Sequence, residues 1–399
     1  MQYRKVPKTG ECLSALGFGA MRLPMKRLKI DEERATRQIR DAIERGVNYI
    51  DTAAPYHGGD SERFLGRALG DGYRERVKLA TKLPPWSVKS REDMDRILDI
   101  QLKKLRTDVI DYYLIHSLEA GLWKKMQELD VTGFLDSAIV SRKIKNAGFS
   151  FHGDLKTFRE IVDAYDWTFC QIQYNFLDTT NQAGTEGLRY AASRDLAVMV
   201  MEPLRGGMLA SRIPKAVKEI YASSGVKRSP AEWALRWVWD HPEVTVVLSG
   251  MNNEKHIAEN IRVCETALPG SLTLDELATM DRVAATYKRL MKVSCTGCAY
   301  CMPCPSGVNI PACFSSYNDY HMGGSRIMSR GIYGLRLMGA MAPRADASLC
   351  VNCGKCARAC PQKIAIPNEL NNVRRTLGGL RTKAMIPILK MVFSKKVEE

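Results

Sequence analysis

Val47-Asn48-Tyr49-Ile50-Asp51-Thr52-Ala53-Ala54-Pro55-Tyr56 decides the fold. Its first four residues are mostly β-branched or aromatic and read as a short buried strand that stops on a carboxylate, with a phenol five residues after Asp51. Three further apolar runs behave alike: 77–81 stops on Lys82, 109–115 on His116 and 147–149 on Ser150. Laid side by side, these strands bring Asp51, Tyr56, Lys82 and His116 to one site. Outward from them, 16–21 reads as a first strand ending in the small-residue loop Gly19-Ala20-Met21, and 169–174, 197–201 and 244–248 as later ones, which makes eight. An N-terminal hairpin is expected over 3–14. Helices fit between the strands: Asp31 caps one that Gly46 stops, Asp60 opens another, and Ser90-Arg91-Glu92-Asp93 resembles a capping box, as do the stretches after Ser229 and Thr273. The expected fold class is α/β, a (β/α)8 barrel with its site at the C-terminal strand ends. An open doubly wound sheet is the alternative, but the first strand lacks a G-x-G-x-x-G turn.

With 399 residues, 45% of them apolar, the chain can bury one large domain and a smaller one. It has no long apolar run of membrane-spanning length, and its start, Met1-Gln2-Tyr3-Arg4-Lys5, has no apolar signal core, so a cytoplasmic address is expected. Twelve cysteines in such a compartment read as metal ligands rather than disulfides. The net charge of +15 is uneven: residues 288–399 hold 17 Lys and Arg against 5 acids, or +12, and the rest only +3. No nucleic-acid motif accompanies that basic excess, so an acidic protein partner is expected and nucleic acid is not.

Over about residues 1–290 the ordered set Asp51-Thr52-Ala53, Tyr56, Lys82, His116, Gly148-Phe149-Ser150, Gln171 with Asn175, Glu202-Pro203-Leu204 with Gly206-Gly207, and Glu259-Asn260 resembles the aldo-keto reductase family. The resemblance implies hydride transfer between a nicotinamide, NADP or NAD, and a small carbonyl or alcohol. It makes Asp51, Tyr56, Lys82 and His116 catalytic. Unperturbed tyrosine, with a pKa of about 10, is a reluctant acid at neutral pH, and a nearby Lys82 cation held by Asp51 is expected to lower it. A neutral His116 would donate a hydrogen bond to the substrate oxygen. Ser150 and Gln171 match positions that bind the nicotinamide carboxamide. Gly19, Ala20, Met21, Met201, Pro203, Leu204, Gly206, Ser249, Gly250, His256, Glu259 and Asn260 complete the implied cofactor site. Three departures stand out: Phe151 replaces an asparagine, Met201 a stacking tyrosine, and His256 an arginine that grips the 2'-phosphate, with Lys255 as a point-charge substitute. The bland reading is a buried Asp51–Lys82 ion pair in a barrel that only binds.

Cys295, Cys298, Cys301 and Cys304-Pro305 are spaced C-x2-C-x2-C-x2-C-P, and Cys350, Cys353, Cys356 and Cys360-Pro361 C-x2-C-x2-C-x3-C-P. The second run closely resembles the bacterial ferredoxin motif and the first is one residue short. That resemblance implies two 4Fe-4S clusters with crossed ligation: Cys295, Cys298 and Cys301 with Cys360, and Cys350, Cys353 and Cys356 with Cys304. Zinc is the competing reading. Cys12, Cys170, Cys264 and Cys313 read as buried small hydrophobes. The expected layout is 1–290 barrel, 291–373 ferredoxin-like iron-sulfur domain with helices between the runs, and 374–399 basic tail. The tail's apolar patch at 385–389, broken by Pro387, is expected to pack on the protein rather than lie on a membrane.

A cluster passes one electron and a nicotinamide a hydride, so coupling them takes a two-electron intermediary such as a flavin, for which no separate motif is visible. The leading expectation is an NAD(P)-dependent carbonyl reductase whose clusters relay electrons to or from an acidic ferredoxin or flavodoxin. The alternative is a barrel acting alone or as a binding module, with clusters that are structural or for docking.

Overall fold

The computed structural model describes residues 1–27, 29–211, 213–293, 295, 301–322, 325–340, 343–360 and 364–393. They form two compact units, Met1–Gly206 with Ala231–Thr273, and Gly207–Pro230 with Leu274–Glu399.

The first unit holds a closed barrel of eight parallel strands. These are β1 (Leu16–Gly19), β2 (Tyr49–Asp51), β3 (Lys78–Leu83), β4 (Ile110–Leu118), β5 (Ile144–Phe151), β6 (Phe169–Gln173), β7 (Ala197–Met201) and β8 (Val244–Ser249). Neighbours in sequence are neighbours in space, and β8 pairs with β1 to close the ring. Nearly every strand residue is buried, because helices cover the outer face and side chains fill the inner one. The outer layer packs residues such as Ile39, Phe64, Leu98, Phe158 and Ile257 on the strands. Inside, Tyr49, Tyr112, Phe169, Ala197, Met199 and Val246 pack with Val6 and Leu13 of the N-terminal hairpin, whose strands are Tyr3–Lys5 and Cys12–Ser14. Tyr49, Phe169 and Ala197 open their strands, so the hairpin floors the N-terminal end of the cylinder. Gly148 on β5 leaves room for this filling: a Cβ there would lie 2.4 Å from the Phe169 ring.

Several local expectations change. Asp31 does cap the helix Glu32–Glu44 through the Arg34 amide, whereas Ser90 makes no cap bond to Arg91–Leu105 and Asp93 instead accepts from the Lys89 amide at 2.9 Å. Cys12 is exposed, not buried, because it lies on a hairpin strand paired with Lys5; Cys170, Cys264 and Cys313 are buried. A further helix pair, Ala120–Glu128 and Val131–Val140, links β4 to β5.

In the second unit the described residues after Thr273 form helices: Leu274–Leu290, Ile310–His321, Arg326–Leu337, Lys355–Ala359, Ile366–Leu377 and Leu380–Phe393. Val308, Phe314, Tyr333, Leu337, Leu370 and Val373 make their core. Ile366–Leu377 runs across residue 374, so the tail does not begin there, and Leu380–Phe393 carries Pro387 inside it rather than breaking at it. Ile386 packs on the core, and a Cβ at Gly331 would meet Met385 at 3.4 Å. No helix among the described residues is long and apolar enough to cross a membrane.

Candidate active site and cysteine module

Strand register sets the site. Asp51 ends β2 opposite Ala80 on β3, and Lys82 follows two residues later on that strand, so both reach the C-terminal mouth. The Lys82 ammonium donates to both Asp51 carboxylate oxygens, at 2.8 and 2.7 Å, and to the Thr52 carbonyl at 2.7 Å. The side chain is fully buried, and the Tyr56 phenol is a further hydrogen-bond partner of the ammonium. Burial pushes the Asp51 carboxyl up and Lys82 opposes it. Burial also works against the ammonium, but Asp51 and then Tyr56 outweigh it and hold Lys82 above its ordinary value. The pair stands ionised.

Tyr56 opens the turn after β2, and its ring centroid lies 5.1 Å from the Lys82 nitrogen. The expected acid shift does not appear. Burial raises the phenol above its ordinary value and Lys82 only partly offsets this, while Asp51 and Glu202 push it further up. Tyr56 is therefore a phenol that keeps its proton at neutral pH.

His116 follows the paired residue Ile115, just before β4 loses register at the left-handed Ser117 (φ 53°). Such irregularities re-aim side chains at barrel rims. Its ring centroid is 6.3 Å from Tyr56 and 5.1 Å from Trp86, and among the described residues its Nδ1 is buried without a partner. Burial, then Lys82, drives its pKa well below the ordinary value, so the imidazole is neutral. Below about pH 6.5 the unfolded chain takes up a proton that the folded chain refuses, so stability falls as pH falls towards the depressed folded value. In His116→Gln, urea midpoints between pH 6.5 and 5 are expected to fall less steeply than in the parent, by up to about 1.4 kcal/mol per pH unit; parallel curves would contradict this.

Gln171 on β6 is the register partner of Ser150 on β5. Ser150 Oγ accepts from the Ser117 amide at 2.7 Å, and Gln171 Oε1 is buried and unpartnered among the described residues. Gln171 Nε2 lies 3.5 Å from the Met201 sulfur. Asp178 gathers Gln173, Asn175 and Arg205, tying the loop after β6 to the loop after β7. Pro203 is buried, Leu204 half-buried and Gly206 in the left-handed region (φ 68°). Beyond β8, Asn260 donates to Ser249 Oγ at 2.8 Å. Lys255 and His256 are exposed near the start of the helix Glu254–Thr266, and Glu259 is half-buried on it.

Three residues escape the sequence reading. Trp86, 49% exposed, forms a wall beside His116; the signal was an aromatic directly after Pro84-Pro85 at a strand end. Glu202 sits in the left-handed region (φ 55°) at the end of β7 with its charge acting on Tyr56. Arg22 follows Gly19, Ala20 and the 52% exposed Met21, and its side chain lies against two glycines. A Cβ at Gly206 would be 3.0 Å from its Nη2 and one at Gly250 3.1 Å from its Cβ.

In the second unit Cys295, Cys301, Cys304, Cys350, Cys356 and Cys360 are partly buried against the helical core, and Cys353 is exposed. Cys298 and Pro361 lie outside the described residues, and among those described no three donors converge on one point. The donor set is all thiol, as an iron-sulfur cluster requires. The charges of Cys350 and of Cys304 both act on the Cys356 thiol, so the end of the first run lies beside the second, as crossed ligation needs.

These geometries agree with comparisons to known proteins. A model described as "Aldo/keto reductase family" matches residues 15–284, and one described as "4Fe-4S dicluster domain" matches residues 294–365. Methylglyoxal reductase YeaE of Escherichia coli is 27% identical over 61% of this chain and 82% of its own length. The 6-dehydroglucose reductase of Novosphingobium aromaticivorans is 29% identical over 64% of this chain and 88% of its own. The fold matches that of aldo-keto reductase AKR11C1 from Bacillus halodurans, holo form, with a TM-score of 0.59 and 24% identity over 71% of this chain and 96% of that one. The chain belongs to the aldo/keto reductase family and carries a 4Fe-4S dicluster domain C-terminal to the reductase match.

Proposed function

We propose that the barrel interconverts a small carbonyl and an alcohol with NADPH or NADH, and that the C-terminal domain holds two 4Fe-4S clusters that exchange electrons with a separate acidic carrier. The observation that carries the first half is the Asp51–Lys82 pair within reach of Tyr56 and neutral His116. The names of the relatives, among them a methylglyoxal reductase and an aflatoxin B1 aldehyde reductase, support a carbonyl substrate.

A bound nicotinamide supplies a hydride. Gln171 Oε1, buried without a partner among the described residues, would accept from its carboxamide with Ser150 alongside; Met201 would give the ring a soft platform, and Arg22 would bring a cation towards the phosphates. Gly19, Ser249, Gly250, His256 and the buried Asn260 would line the remaining cofactor edge. His116 donates its N–H to the substrate oxygen, and Trp86 shields that side from water. Tyr56, protonated at rest, gives its proton to the oxygen as negative charge develops on it. Asp51 fixes Lys82, and Lys82 stabilises the phenolate left behind.

The cluster half rests on the eight spaced cysteines, Cys295, Cys298, Cys301, Cys304, Cys350, Cys353, Cys356 and Cys360. Protein purified without oxygen is expected to be brown and to hold about eight irons. Carbonyl-dependent NAD(P)H oxidation before and after iron removal, and with a reduced one-electron carrier replacing the nicotinamide, tests both halves. A colourless, iron-free protein ends the relay reading; unchanged turnover with no electron entry through the clusters leaves them structural.

A further inference from the structure

We propose that residues 351–358, the loop and short helix of the second cysteine run, are the docking surface for an acidic one-electron carrier protein. The proposal rests on the relay reading above and adds which cluster faces the partner and which residues receive it.

The second run reaches the surface: Cys353 is exposed and Val351 is 69% exposed, while Cys350, Cys356 and Cys360 are half-buried, as are Cys295, Cys301 and Cys304. Charge separates the two runs. No Lys or Arg stands anywhere from 293 to 325, while the second run carries Lys355 and Arg358 on either side of Cys356. Both cations are exposed on the helix Lys355–Ala359, and their i, i+3 spacing puts them on one side of it. Neither has an ion-pair partner among the described residues. The nearby Arg344, by contrast, is paired with Asp346.

An exposed apolar residue and two exposed cations within eight residues of one another in the chain suit a brief encounter. Electron-transfer complexes bury little surface, under about 1,200 Å², and depend on opposite charge for their rate. The domain's +12 excess attracts the same partner from a distance. In the step itself one electron would leave the carrier's reduced centre for the cluster that Cys350, Cys353, Cys356 and Cys304 would hold. No bond forms or breaks and no proton moves.

The test follows cluster bleaching by stopped flow in the full-length, iron-loaded protein, with a reduced acidic two-iron ferredoxin as donor. The double variant Lys355→Glu, Arg358→Glu is expected to lower the second-order rate at least ~10-fold and to flatten its salt dependence. Lys355→Gln, Arg358→Gln is expected to fall between it and the parent, which covers any loss of cluster in the charge-reversed protein. Arg381→Glu, Lys383→Glu makes the same change in net charge elsewhere on the domain and is expected to stay within about twofold of the parent. Iron content and reduction by dithionite are expected to stay unchanged in all three. Equal losses in both reversed variants, or no loss in either, overturn the surface assignment while leaving the relay intact. A parent whose clusters take electrons from dithionite but from no protein donor overturns the relay, and the docking surface with it.

Discussion

Tyr56→Phe is expected to lower kcat for carbonyl reduction by about 10²–10⁴-fold, with KM for the nicotinamide little changed. The substitution removes one hydroxyl and keeps the ring that packs near Lys82 and His116, so the Asp51–Lys82 pair and the pocket stay in place. What is lost is the proton for the developing alkoxide, an interaction made only in the transition state, which is why kcat rather than binding responds. The pH profile gives a second readout. Because burial raises the Tyr56 pKa, parental reduction should stay level through neutral pH and fall only above about pH 10 as the phenol ionises; the Phe variant should lack that limb. A Phe variant that turns over carbonyls at the parental rate removes Tyr56 from the chemistry.

Asp51→Asn is expected to cost about 3–5 kcal/mol of stability, because it leaves the Lys82 ammonium buried opposite a neutral amide. Urea midpoints at pH 7 measure the loss, and Asp51→Leu combined with Lys82→Met should recover much of it, since an apolar pair carries no desolvated charge. In the parent, Lys82 is held above its ordinary value, so its stabilisation is complete below about pH 10.4 and is lost as pH rises through the folded value. In the variant the buried amine is freed of its counter-charge and sheds its proton more easily, so the deficit narrows as pH rises towards 10. A cost below about 1 kcal/mol would mean that the pair is solvated rather than buried.

The barrel was legible because strands covered on both faces read as apolar runs, so the polar stops at Asp51, Lys82 and His116 stood out as punctuation. Strand starts were less visible. β5 begins at Ile144 but carries Lys145 and Asn146, whose side chains bind Asp111 (2.8 Å) and its carbonyl (3.0 Å), and polar residues satisfied across strands look like loop. The sign of the Tyr56 shift was hidden for a different reason: Lys82 is visible in the sequence, but the depth at which the phenol is buried is not, and burial prevailed. Trp86 and Glu202 reach the mouth through backbone geometry, one beyond a proline pair and one at a left-handed strand end, and neither leaves a periodic signal. In the cysteine runs the spacing alone carried the reading. Pro387 shows the opposite limit, because the breaker rule yields where neighbouring Ile386 and Met385 are held by packing.

The N-terminal hairpin stoppers the cylinder at its far end with Val6 and Leu13. With the interior packed solid above it, this floor leaves the strand ends at the mouth as the one place along the axis where polar side chains can gather, so a dozen residues that carry no chemistry help to decide at which end the chemistry sits.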